Sequence, residues 1–175
     1  MIEVWAGKLA RTIKSANEQQ TAHEAVLKYA LTIVINFVIP VCASLLIGWI
    51  TGQFLGTLLS LTAFTLLRAV SGGFHFKSAN VCMIVTTCII SIPPHITIPG
   101  LWVPVFTSIS FILAVLLAPA NIRGYARMPE KYFPIMKVLS LLIIGSNYIW
   151  SSSLLAVVFF IQGILLLPLR REVKS

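Results

Sequence analysis

Tyr29–Leu67 reads YALTIVINFVIPVCASLLIGWITGQFLGTLLSLTAFTLL, a stretch without one Asp, Glu, Lys or Arg. A helix needs about 20 apolar residues to cross roughly 30 Å of hydrocarbon, so this run is too long for one crossing. The polar triplet Thr51-Gly52-Gln53 divides it into two spans joined by a tight turn. Pro40 predicts a kink in the first of them.

The same arithmetic extends outward. Ser78–Ile122 is also free of Asp, Glu, Lys and Arg, and Pro93, Pro94, Pro99 and Gly100 punctuate it into two helices. Val138–Leu169 is short for two crossings and long for one, with Asn147 and Ser151 to Ser153 as its polar break. The chain has 175 residues, 58% hydrophobic and only 10% charged, with a mean hydropathy of +0.94. A soluble domain with a charged surface does not have that composition. The expected fold is therefore all-α, a single integral membrane domain over 1–175. Its spans fall near 29–50, 54–70, 82–98, 101–118, 133–149 and 153–168.

Charge settles the number of spans. When loops are assigned alternately to two sides, the 13 Lys and Arg fall four before the first span, two in the second loop, four in the fourth and three at the C-terminus. All lie on one side, which makes about six spans with both termini cytoplasmic. Five spans would export Arg170, Arg171 and Lys174. The net charge of +8 is thus the excess that the positive-inside rule requires, and no nucleic-acid partner is inferred from it. The expected location is a cell membrane, with the lipid bilayer as a partner.

Ahead of the first span, Ile2, Trp5, Leu9, Ile13 and Ala16 recur every three or four positions, with Lys8, Arg11, Lys14 and Glu18 between them. This predicts an amphipathic helix over 1–20, lying in the headgroup plane or packed on the protein's own inner surface. Thr21 and Glu24 have the spacing of a capping box that opens the next helix. No cleavable signal peptide is read at the N-terminus.

The chemistry concentrates between the second and third spans, in LRAVSGGFHFKSANVC, residues 67–82. A cysteine nucleophile acts as its thiolate, which an imidazole, nearby cations and a helix N-terminus all favour. His75 is the candidate base, Arg68 and Lys77 supply positive charge, and Ser78 or Asn80 caps a helix with Cys82 in its first turn. The open N–H groups of such a turn suit an oxyanion. On an unbroken helix His75 and Cys82 would stand about 10 Å apart, so the chain must bend between them. Gly72-Gly73 and Ser78-Ala79-Asn80 permit it.

The pattern Arg-x-x-x-Gly-Gly-x-His-x-x-Ser-x-x-x-Cys, on the cytoplasmic side of a small six-span protein, closely resembles the accessory gene regulator protein B (AgrB) family. These are membrane endopeptidases that process quorum-sensing pheromone precursors. The motif residues are Arg68, Gly72, Gly73, His75, Ser78 and Cys82, and Ala118-Pro119 leading into a basic fourth loop supports the match. The resemblance implies Cys82 as nucleophile and His75 as general base. Arg68 and the two glycines, with Lys77 and Ser78 alongside, would shape the site or bind substrate.

The implied reaction is cleavage of an AgrD-like precursor peptide near its C-terminal end through an acyl-enzyme thioester, followed by closure of a thiolactone or lactone ring. No cofactor and no metal is implied, and a homodimer is left open. Phe74 and Phe76 flank His75 and would either exclude water from the thioester or anchor the loop at headgroup depth. Arg123, Arg127, Lys131 and Lys137 would either attract an acidic tail on the peptide or serve topology and anionic lipid. Cys42 and Cys88 read as packing residues, His95 as an exposed loop residue and His23 as a surface residue. Asn80, Asn121, Glu130 and Asn147 are candidates to orient His75. The rival functions are a peptide transporter and a non-enzymatic membrane scaffold.

Overall fold

The computed structural model describes residues 2–16, 22–74, 78–120 and 129–168. Thr21, His75, Phe76, Lys77, Asn121, Arg123, Arg127 and the C-terminal Arg170, Arg171 and Lys174 lie outside the described residues. The helices are α1 (Ile2–Ala16), α2 (Glu24–Ile50), α3 (Phe54–Ser71), α4 (Ala79–Ser91), α5 (Trp102–Leu117), α6 (Phe133–Gly145), α7 (Asn147–Trp150) and α8 (Ser153–Leu165). Short 3₁₀ turns at Pro93–His95 and Glu130–Tyr132 precede α5 and α6. No strand occurs among the described residues.

Three helical stretches, Glu24–Ile50, Phe54–Ser71 and Glu130–Trp150, are long and apolar enough to cross a membrane, and Ala79–His95, Trp102–Leu117 and Ser153–Leu165 are shorter apolar helices. Their outer faces carry large exposed apolar side chains such as Phe37, Trp49, Leu55, Ile84, Leu116 and Ile149. Apolar surface on that scale is tolerated in lipid and not in water. This is an all-α membrane protein.

The chain groups into two compact units, Met1–Ser44 with Phe76–Cys88, and Leu45–His75 with Ile89–Ser175. In the first, α1 buries Ala6 and Ala10 and leaves Trp5, Leu9 and Ile13 exposed. That stripe lies open for lipid to cover, as in an interfacial helix. The Arg11 guanidinium donates to the Glu24 carboxylate over 3.0 Å. The expected capping box involves Thr21 and so lies outside the described residues; α2 begins at Glu24 and the His23 carbonyl accepts from Val26 and Leu27. The helix runs unbroken through Pro40, which is fully buried.

In the second unit small residues let helices approach closely. A Cβ on Gly48 would collide with Thr57 of α3, and one on Gly163 of α8 would stand 3.4 Å from the Ser110 Cα of α5. Buried Thr107, Ser110 and Ser140 return their hydroxyls to carbonyls one turn back, at 2.8, 2.7 and 2.9 Å.

The turn at Thr51–Gln53 joins α2 to α3 as expected, with Gly52 at φ 71°. Pro93 and Pro94 stop α4 at Ser91, short of the residue 98 expected of that span. The polar break in 138–169 is a built turn. Asn147 donates to Thr107 Oγ1 and the Ser152 carbonyl and accepts from the Ser152 N–H, Ser151 adopts the left-handed conformation, and the Ser152 hydroxyl accepts from the Leu155 N–H.

Candidate active site

The last turn of α3 carries Arg68 and Ser71 and ends on the two glycines. Gly72 caps it with φ 70°, its N–H donating to the Arg68 carbonyl, and Gly73 follows at φ 131°. Both angles favour glycine. The reason is also spatial at Gly73, where a Cβ would come within 3.2 Å of the Leu165 carbonyl oxygen and 3.4 Å of both Arg68 Nη1 and Gln162 Nε2.

The chain after α3 is held by backbone bonds to two other segments. The Gly73 N–H donates to the Ala120 carbonyl, the Ala120 N–H to the Ser71 carbonyl, and the Phe74 N–H to the Leu165 carbonyl, at 3.0, 2.9 and 2.8 Å. Gly72 and Ala120 thereby form a short parallel bridge just past the cis Ala118–Pro119 bond.

Side chains complete the clamp. Arg68 Nη2 donates to the Phe74 carbonyl over 2.6 Å, Nη1 reaches Gln162 Oε1 at 3.5 Å, and the guanidinium carbon lies 5.7 Å from the centre of the Phe64 ring. Gln162, fully buried on α8, donates through Nε2 to Ser71 Oγ at 3.0 Å and to the Gly72 carbonyl at 2.7 Å. Arg68, expected to supply charge and shape the site, holds the turn through these contacts. Gln162 and Ser71 are absent from the sequence reading; the available signal was a lone amide in an otherwise apolar span, since a buried polar group there needs partners.

Cys82 belongs to the other unit. It stands half-buried in α4, and its N–H donates to the Ser78 carbonyl over 3.0 Å. Ser78 therefore occupies the N-cap position and Cys82 the fourth helical residue. With the Cys82 N–H engaged, the donors that the helix start leaves unpaired within it are those of Ala79, Asn80 and Val81. His75 and Lys77 lie outside the described residues.

The residues set aside fall as follows. Cys42 and Cys88, expected to pack between helices, are exposed on helix surfaces. His95 is exposed in its 3₁₀ turn, and His23 is exposed at the head of α2. Asn80 is exposed in the first turn of α4, and Glu130 is exposed ahead of α6. Asn147 is engaged at the Ser152 end of α8, roughly 20 Å along the helix from the Leu165 end that holds Phe74. It is a structural residue of that turn.

Residues 3–167 match the family described as Accessory gene regulator B. The chain belongs to this family. An AgrB-like protein of Halalkalibacterium halodurans is 24% identical over 185 residues, an alignment covering 99% of this chain and 90% of that protein. No solved structure matches. AgrB family membership supports a role in accessory gene regulator pheromone processing.

Proposed function

We propose that the protein is a membrane-embedded cysteine endopeptidase that cleaves a small AgrD-like precursor peptide near its C-terminal end. His75 accepts the Cys82 thiol proton, the thiolate attacks the scissile carbonyl, and His75 returns the proton to the departing amine. The acyl group remains on Cys82 as a thioester. A thiol or hydroxyl within the bound peptide then displaces Cys82 and closes a thiolactone or lactone ring, while water is kept out. Arg68, Gly72 and Gly73 shape the turn, Ser78 starts the nucleophile's helix, and Lys77 contributes positive charge. The whole chain acts as one integral membrane domain, with both termini and the site on the cytoplasmic side.

The observation that carries this reading is the position of Cys82, half-buried in the first turns of a helix opened by Ser78, in a chain of this family. The test uses protein reconstituted in liposomes with a synthetic candidate precursor, cleavage being followed by mass spectrometry. Cys82→Ala and His75→Ala are each expected to abolish cleavage. Unchanged cleavage in either variant removes that residue from the mechanism. Transport of intact peptide without cleavage makes the protein a carrier.

A further inference from the structure

We propose that Gln162 is a positioning residue for His75, an inference that rests on the function proposed above. An amide buried in an apolar span is costly unless every polar atom is paired. Gln162 pairs all of them with one short piece of chain. Its two N–H groups go to Ser71 Oγ and the Gly72 carbonyl, and its oxygen faces Arg68. Arg68 in turn grips the Phe74 carbonyl.

That carbonyl belongs to the peptide group joining Phe74 to His75. Because a peptide group is planar, a hydrogen bond to its oxygen restrains how the chain leaves Phe74. Arg68 is a long side chain on the last turn of α3, and Gln162 keeps it extended toward Phe74 while tying the turn's other end at Gly72. The Phe74 N–H bond to Leu165 anchors the same residue to the helix that carries Gln162. The glycine pair is thus closed on one side by α3 and on the other by α8. Gln162 is the residue whose side chain binds both the start of the turn and the arginine that holds its end. Gln162 bonds to Ser71, Gly72 and Arg68, so its proposed role is to hold the turn that leads to the imidazole.

The test needs no natural substrate. In a Cys42→Ser, Cys88→Ser background, the rate of Cys82 alkylation by iodoacetamide at neutral pH reports how well the imidazole assists the thiol. His75→Ala is expected to slow alkylation about tenfold. Gln162→Leu is expected to slow it severalfold, and the double variant no further than His75→Ala alone, because the two act as a unit. With a synthetic precursor, Gln162→Leu should lower kcat while KM stays within about threefold.

Wild-type alkylation in Gln162→Leu overturns the inference, as does a loss that multiplies with that of His75→Ala, which would mark a merely structural role. If His75→Ala itself leaves both alkylation and cleavage unchanged, the proposed function fails and this inference with it. Should Gln162→Leu not purify as a single species, Gln162→Glu is read by the same criteria. It keeps the length and the acceptor for Arg68 but replaces the donor to Gly72.

Discussion

Gly52 and Gly73 both hold positive φ, at 71° and 131°, yet they stand in different surroundings. Nothing lies within 4 Å of a Cβ placed on Gly52, whereas one on Gly73 would crowd the Leu165 carbonyl, Arg68 and Gln162. Gly52→Ala should therefore cost about 1–2 kcal/mol of backbone strain, seen as a modest drop in thermal stability with cleavage retained. Gly73→Ala should pull Phe74 off its anchors and lower cleavage on the order of tenfold or more. Equal effects in both assays would contradict this difference. The glycine pair was legible as a place for the chain to bend, and Arg68 as a nearby cation and a position of the family motif. Gln162 was not, because a lone amide in an apolar run does not reveal its partner. Only folding brings Ser71, Gly72 and Arg68 against α8.

Elements were legible where composition leaves little choice. The uncharged run of 29–67 exceeds one crossing, and its break at Thr51–Gln53 is the observed turn. The Arg11–Glu24 pair was not legible, because the two residues are thirteen positions apart and only folding brings them together. The two alternatives left open for α1 differ in what its apolar stripe faces. Trp5 is 67% exposed while Ala6 and Ala10 are buried, which leaves the stripe to lipid. A variant retaining Trp5 as its single tryptophan should show blue-shifted emission in vesicles and strong quenching by lipids brominated near the headgroups. Emission typical of water, with no quenching, would contradict an interfacial α1.

For the whole molecule, the connections of the larger unit gather at two ends. The Gly72–Phe74 turn, Ala120 and Leu165 meet at one end, while Pro94 and Leu154 flank Gly56 near the start of α3 at the other. The tying of the three segments at the first end was not legible, because backbone pairing between segments so far apart in sequence leaves no mark in composition. The chemistry proposed for this protein turns on a covalent bond to one sulfur. Intact-protein mass spectrometry of the reconstituted enzyme, quenched in acid during turnover of a synthetic precursor, measures it directly. The account predicts an adduct equal to the N-terminal acyl fragment, mapped to Cys82, released by hydroxylamine and absent from Cys82→Ala. Cleavage proceeding with no adduct on Cys82, or with the adduct on Cys42 or Cys88, would contradict it.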